Sequence, residues 1–289
     1  MQIIHRLSAL RDRLKFIRAN GGTVALVPTM GALHDGHMTL VKAARQQADH
    51  VIVSIFVNPR QFGPNEDFAA YPRPADADAE RLVNGDVDLL WMPRVEDMYP
   101  AGYATTIAVA GLGDGLCGTA RRGHFDGVAT VVCKLFTQVR PDTALFGEKD
   151  WQQLAIIRRM SLDLDLGVDV IGVETARDPD GLALSSRNAY LTKAQRQAAV
   201  ALPKALKSAV TGIEAGADVA TELNKIRAAV VAAGFDAPDY VTLAGAEDLQ
   251  PMTELDRPAR LFIAARLGRA RLIDNRPVDP ARMRKVKMR

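Results

Sequence analysis

The chain has 289 residues, of which 48% are hydrophobic and 25% are charged, so its composition is that of an ordinary globular protein. This composition excludes a disordered or collagen-like chain, and the length allows one large domain or two smaller ones. No apolar run approaches the ~20 residues of a membrane-spanning helix, and the N-terminus lacks the apolar region of a signal peptide. We therefore expect a cytoplasmic protein with no membrane association.

The net charge of +3 comes from the C-terminal tail, residues 281–289, which contains five basic residues and no acidic one. Removing these five from the 37 basic residues leaves 32 against 34 acidic residues, so the rest of the chain is close to neutral. A nucleic-acid-binding protein needs basic residues over a folded face, and we expect no nucleic-acid partner. A nucleic-acid-binding tail is the alternative, although charges at a chain end are more often only solvated.

Short apolar runs alternate with helical patterns in the first half of the chain. The runs that predict strands are residues 23–28, 51–57, 88–92, 144–146 and 168–174. The segments with helical spacing of apolar residues are 36–47, 75–83, 128–139 and 150–160. Short buried strands separated by helices predict an α/β fold with a parallel sheet covered on both faces.

The pattern changes after the turn-rich residues 177–181. Helices are predicted between residues 192 and 233, followed by strands at 239–243, 259–264 and 270–273. Strands near the end, with no helix between the last two, predict a separate and smaller α+β domain. We place the boundary so that residues 1–176 form the first domain and residues 177–289 the second.

The segment 28–37, PTMGALHDGH, follows the first strong strand and leads into a helix. Ligands of an open parallel sheet bind beyond the carboxyl ends of its strands, and a helix N-terminus attracts phosphate. Gly31 permits a tight turn, and the spacing of His34 and His37 lets both imidazoles face one ligand. A metal site is a weaker interpretation, and a structural one has His37 in the core and Asp35 as a helix cap.

A second cluster, residues 146–153 (FGEKDWQQ), also follows a strand and opens a helix. Lys149 is a compact cation in a good position for a phosphate. Asp150 and Gln153 fit a helix capping box, and Gln153 also suits a ligand hydroxyl. The arginine pair at 121–122 precedes another helix start and faces either an anion or water.

Neutral and hydroxyl-bearing side chains form two further candidate sites. Asn58 and Gln61 follow the second strand and suit a polar, uncharged part of a substrate, or else an ordinary turn. Ser185, Ser186 and Arg187 lie at the start of the second domain and suit a polyphosphate. The structural alternative is a loop whose serines bond the local backbone.

Taken in this order, the motifs resemble the pantothenate synthetase (pantoate–β-alanine ligase) family. The matching segments are PTMGALHDGH, FVNPRQFGPNEDFAAYPR, RRGHFDGVATVV, LFGEKDWQQL and DGLALSSRNAYL. His-x-Gly-His alone would indicate only the wider nucleotidyltransferase superfamily, including enzymes that leave AMP on their product. The resemblance implies a Rossmann-like domain, a smaller C-terminal domain that closes on ATP, and a homodimer. It also implies ATP- and Mg²⁺-dependent condensation of pantoate with β-alanine through a pantoyl adenylate, releasing AMP and pyrophosphate.

The resemblance further implies the roles of individual residues. The implied ATP-binding residues are Met30, Gly31, Ala32, Leu33, His34, Asp35, Gly36, His37, Gly147, Glu148, Lys149, Asp150, Ala176, Leu184, Ser185, Ser186 and Arg187. Gln61 and Gln153 would hold pantoate, with Gln61 also near β-alanine. Asn58, chosen above from the residue pattern, is a further candidate substrate ligand. His37 would be the catalytic acid, and His34 and Lys149 complete our catalytic candidates. No metal ligand is assigned.

Overall fold

The computed structural model describes residues 1–64, 66 and 68–280. The chain divides into two compact units, Met1–Glu174 and Thr175–Arg289, a division two residues before the boundary placed from the sequence. The basic tail, and with it the alternative of a nucleic-acid-binding tail, lies outside the described residues. Among the helices described, none is long and apolar enough to cross a membrane.

The first unit alternates strands and helices, as the sequence predicts. Its strands are β1 (Gln2–Ile4), β2 (Val24–Thr29), β3 (His50–Ile55), β4 (Leu89–Trp91), β5 (Thr143–Gly147) and β6 (Asp169–Val173). Its helices are α1 (Leu7–Ala19), α2 (Asp35–Ala44), α3 (Ala75–Asn84), α4 (Val95–Met98), α5 (Cys117–Ala120), α6 (His124–Val139) and α7 (Trp151–Asp163). Short 3-10 turns at Pro59–Gln61 and Glu148–Asp150 follow β3 and β5.

The six strands form one parallel sheet in the order β1-β4-β3-β2-β5-β6. The central strands are fully buried: Val24, Leu26, Val51 and Val53 have no exposed surface. Strands buried on both faces have continuous apolar sequences, which explains why these runs are visible in the sequence. The prediction of a Rossmann-like parallel sheet is confirmed.

The strand order reverses direction at β2. From β2 the chain adds β3 and β4 on one side and later adds β5 and β6 on the other. β2 and β3 are paired along their whole length, whereas the pairing of β2 with β5 ends at Leu26 and Ala144. The carboxyl ends of β2 and β5 therefore flank the topological switch point, which is where open α/β sheets bind their ligands.

The second unit is the predicted smaller α+β domain. Its helices are α8 (Lys193–Ala198), α9 (Ala201–Glu214) and α10 (Val219–Ala232), and its strands are β7 (Tyr240–Gly245), β8 (Ala259–Leu267) and β9 (Ala270–Val278). The strands form an antiparallel sheet in the order β7-β8-β9. β9 continues past the predicted end at residue 273. The prediction ended too early because the next two residues, Asp274 and Asn275, are polar, although both are buried.

Candidate active site

The loop between β2 and α2 forms a tight turn held by acceptors from the protein itself. Gly31 and Ala32 both have left-handed backbone conformations, with φ of 82° and 51°. The N–H of Gly31 donates to the Thr29 hydroxyl at 3.3 Å. The N–H groups of Ala32 and Leu33 donate to the two carboxylate oxygens of Asp78 on α3, at 2.8 and 2.7 Å. This turn carries the chain directly into the His-x-Gly-His motif.

Two histidines cap α2 reciprocally. The N–H of Gly36 donates to Nδ1 of His34 at 3.1 Å, and the N–H of His34 donates to Nδ1 of His37 at 3.2 Å. The interpretation of Asp35 as the helix cap is therefore wrong, because His34 occupies that position. Asp35 is instead exposed in the first helical turn, where its carboxylate pairs with Arg81 at 3.0 Å.

The capping contacts determine which nitrogen of each imidazole carries the proton. Because each Nδ1 accepts a backbone N–H, each neutral ring carries its proton on Nε2. Burial, followed by the charge of Lys149, lowers the pKa of His34 to about 4. Burial lowers the pKa of His37 to about 3, and His34 and then Lys149 contribute further. At neutral pH the motif therefore presents two uncharged Nε2–H donors, and both rings experience the positive charge of Lys149.

Phosphate binding by backbone N–H groups at this helix start stays a prediction, and four of these groups have partners within the protein. The N–H groups of Ala32, Leu33, His34 and Gly36 already donate to acceptors within the protein. A ligand that displaced these contacts would also dismantle the turn and the cap. The imidazole Nε2–H groups of His34 and His37 are therefore donors that the motif offers to a ligand besides its backbone.

The imidazoles of His34 and His37 should stay neutral in the ligand-free protein between about pH 8 and about pH 5, because burial disfavours their charged forms. The ¹⁵N shifts of both rings should show protonated Nε2 and unprotonated Nδ1 throughout this range. A two-dimensional ¹H–¹⁵N spectrum of the histidine side chains measures both properties. Titration of either ring near pH 6.5 would contradict the cap geometry.

Asn58 follows β3, and both atoms of its side-chain amide form hydrogen bonds within the protein. Its Nδ2 donates to Oε1 of Gln61 at 3.1 Å and to the carbonyl oxygen of Gly127 at 3.0 Å. Its Oδ1 accepts the N–H of Arg60 at 3.2 Å and the Tyr99 hydroxyl at 2.9 Å. With 1% of its surface exposed and its amide saturated, Asn58 does not fit the predicted role of direct substrate ligand.

The side-chain amide of Gln61 is oriented by Asn58, which donates to its Oε1, so that its nitrogen faces the β2–α2 loop. Its Nε2 lies 2.8 Å from Sδ of Met30 in the β2–α2 loop. Its backbone carbonyl oxygen accepts from Nη2 of Arg121 at 3.3 Å and contacts Nδ1 of His124 at 2.8 Å. Arg121 also pairs with Glu66 at 2.6 Å, so this arginine faces an anion of the protein. The predicted pantoate residue therefore contacts the predicted ATP loop.

The segment after β5 brings Lys149 to the carboxyl end of the sheet. Asp150 precedes α7, but its side chain makes no capping hydrogen bond, so the predicted capping box is absent. The reason is local, because the chain enters α7 through the 3-10 turn Glu148–Asp150. Gln152 directs its amide inward, to the N–H of residue 117 and the carbonyls of residues 112 and 115. Gln153, its neighbour, remains the candidate ligand on this helix.

The remaining ATP-binding candidates lie in the second unit. The N–H of Leu184 donates to the carbonyl oxygen of Ala176 at 2.9 Å. The Ser185 hydroxyl accepts the N–H of Arg187 at 3.3 Å and caps the 3-10 turn that starts at Ser186. Ser185 thus satisfies local backbone, as the structural alternative expects, and the phosphate-binding role of this group stays a prediction.

The fold and this site together define a class of protein. A parallel sheet with the His-x-Gly-His loop at its switch point, and a lysine close enough to influence both histidines, is the arrangement of an α/β protein that binds its ligand beyond the carboxyl ends of the strands. The part of the chain that the structure describes contains no group of three or more His, Cys, Asp or Glu side chains that could hold a metal ion.

The comparisons with known proteins identify the family within this class. The family model described as pantoate-beta-alanine ligase matches residues 2–277, and the chain belongs to this family of ligases. It is 60% identical to pantothenate synthetase from Sphingopyxis alaskensis over 278 residues, which cover 96% of this chain and 100% of that protein. It is 57% identical to the enzyme from Novosphingobium aromaticivorans, covering 97% of this chain and 100% of that protein.

Solved structures agree with this assignment. The crystal structure of pantothenate synthetase from Thermus thermophilus matches with a TM-score of 0.92 and 45% identity, covering 97% of this chain and 100% of that one. Pantoate-beta-alanine ligase from Francisella tularensis, complexed with beta-gamma ATP and beta-alanine, matches with a TM-score of 0.80 and 34% identity. That comparison covers 96% of this chain and 97% of the Francisella chain.

Proposed function

We propose that this chain condenses pantoate with β-alanine in two steps, with activation of the pantoate carboxylate by ATP as the first. Family membership supports the overall reaction. The observation that carries the assignment to this site is the 2.8 Å contact between Gln61 and Met30. It links the residue proposed to hold the acid to the loop proposed to hold the nucleotide, so an acid and an α-phosphate bound there are neighbours.

In the first step a pantoate carboxylate oxygen attacks the α-phosphorus of ATP and pyrophosphate leaves. Two anions meet, and negative charge grows on the phosphate oxygens in the transition state. The Nε2–H groups of His34 and His37 donate to these oxygens, and the Lys149 ammonium supplies positive charge. We propose that the Nε2–H of His37 forms a hydrogen bond to this developing charge, and its implied role as catalytic acid stays a prediction.

In the second step the neutral amine of β-alanine attacks the acyl carbon of the adenylate, AMP leaves, and the proton lost from the amine passes to the AMP phosphate or to solvent. The candidate residues include no evident dedicated base, so the contribution of the protein is to hold the two reactants in line. Gln61, whose amide nitrogen faces the β2–α2 loop, and Gln153 in the first turn of α7 are proposed to orient pantoate in both steps.

The side chains of the site do not fit a magnesium ion held by the protein alone. Asp78 is the buried carboxylate beside the nucleotide loop, and each of its oxygens already accepts a backbone N–H. Mg²⁺ in nucleotide-dependent enzymes is bound largely by substrate phosphates and water. We propose that Mg²⁺ is required as the counter-ion of ATP.

Two further assignments depend on the family resemblance. One is ATP binding by Ala176, Leu184, Ser185, Ser186 and Arg187 in the second unit. The other is a homodimer, which light scattering of the purified chain would test.

Omission of the amine tests the proposed function most directly. With ATP, Mg²⁺ and pantoate but no β-alanine, the enzyme should form about one pyrophosphate per active site and retain the pantoyl adenylate. Addition of β-alanine should then release AMP and pantothenate. An adenylyltransferase of the wider superfamily would instead leave AMP covalently attached to its final product, which mass spectrometry distinguishes.

A further inference from the structure

Two aspartates in the first turn of α3 have opposite environments. Asp76 is exposed, whereas Asp78 is 2% exposed. Both carboxylate oxygens of Asp78 face the β2–α2 loop, where they accept the N–H groups of Ala32 and Leu33. These contacts connect residues 45 and 46 positions apart in the chain, so they hold the loop against a separate helix.

The loop needs such support because of its backbone conformation. Gly31 and Ala32 adopt two consecutive left-handed conformations, and the second of them is unfavourable for a residue with a Cβ. A Cβ added at Gly31 would lie 3.0 Å from Oδ2 of Asp78 and 3.2 Å from Cγ2 of Ile55. The glycine, the left-handed pair and the carboxylate therefore fit together as one unit.

The residue that follows this turn is His34, which begins the reciprocal cap. The orientation of the His34 ring depends on the backbone position of Leu33. The orientation of the His37 ring depends in turn on the N–H of His34, which donates to its Nδ1. The ring centroids lie 4.1 Å apart, so a small shift of one ring is transmitted to the other. Loss of the support at Leu33 would therefore misdirect both Nε2–H donors.

We propose that Asp78 is a positioning residue for the adenylation step: its carboxylate holds the turn that directs the Nε2–H groups of His34 and His37 toward the phosphates of ATP. This inference rests on the proposed function of the site. The competing assignment for Asp78 is a direct ligand of Mg²⁺, and the two assignments predict different responses to the metal concentration.

The test compares Asp78→Asn with Asp76→Asn in the full chain, by steady-state pyrophosphate release with saturating β-alanine at varied ATP, pantoate and Mg²⁺. An asparagine keeps the shape of Asp78 but turns an NH₂ group toward one of the two backbone donors. We expect kcat to fall about 10–100-fold, since a misplacement near 1 Å has effects of this size. KM for pantoate and the Mg²⁺ concentration for half-maximal rate should change less than about twofold. Asp76→Asn should match the parent chain.

A second readout separates positioning from a general loss of structure. In the parent chain the ring ¹⁵N shifts of His34 and His37 report protonated Nε2, and in Asp78→Asn these resonances should move or broaden. If Asp78→Asn does not fold, Asp78→Glu, which displaces the carboxylate by one methylene, serves in both measurements.

Three outcomes would overturn the proposal: a rate equal to that of the parent chain, recovery of the rate at high Mg²⁺, or a loss of rate with unchanged histidine resonances. Recovery at high Mg²⁺ would assign Asp78 to the metal. A parent chain that releases no pyrophosphate from ATP and pantoate would instead contradict the proposed function itself, whatever the variants show.

Discussion

Replacing His37 with alanine should lower the rate of pyrophosphate release from ATP and pantoate about 10²-fold or more. This is the loss observed when one preorganised donor to a developing charge is removed. The substitution removes the Nε2–H donor and also the Nδ1 acceptor that caps the N–H of His34. Single-turnover measurement of pyrophosphate isolates this step from the later attack of the amine.

Two further variants separate these roles of His37. Asparagine places a polar atom near the position of Nδ1, so His37→Asn keeps an acceptor for the cap but loses the outer donor. Glutamine reaches the position of Nε2, so His37→Gln restores an N–H donor there. We expect His37→Asn to be as slow as His37→Ala and His37→Gln to recover part of the rate. Near-normal pyrophosphate release by His37→Ala would refute the role of the imidazole.

The fold was predicted correctly for those elements whose burial produces a regular pattern of apolar residues in the sequence. β2 and β3 are buried on both faces and appear as unbroken apolar runs, and α6 has a continuous apolar stripe. β1 was not predicted, because three residues with two exposed give no periodicity. α1 was also not predicted, although its buried residues, Leu10, Leu14 and Ile17, have helical spacing among many charges.

The proximity of His34 and His37 could be predicted from the sequence, but the hydrogen bonds around them could not. Motif spacing indicates that His34 and His37 share one side of a helix start. It does not indicate whether the preceding N–H groups face a ligand or a carboxylate from another helix. Asp76 and Asp78 look alike in the sequence, and only the packing of α3 against the loop makes one exposed and the other buried. Long-range contacts of this kind leave no local sequence pattern.

Replacing Asn58 with aspartate should raise KM for pantoate about 10–100-fold while KM for ATP changes less than about threefold, because the substitution acts through Gln61. The Nδ2 group of Asn58 fixes the Gln61 amide by donating to its Oε1. A carboxylate oxygen in its place repels Oε1, and the Gln61 amide turns over. Gln61 then presents an oxygen, in place of an N–H donor, to an acidic substrate. Leaving a buried polar group without its partner has an effect of this size.

A double-mutant cycle decides whether Asn58 acts through Gln61 or touches the substrate itself. Gln61→Ala alone should mainly weaken the use of pantoate. In the Gln61→Ala background, Asn58→Asp should add less than about a twofold further change in KM, because the side chain that it misorients is gone. Additive effects would instead mean that Asn58 contacts pantoate directly. Thermal unfolding of all three variants identifies any loss of stability that comes from the buried charge. A partly unfolded enzyme would show a lower apparent kcat, with KM unchanged for both substrates.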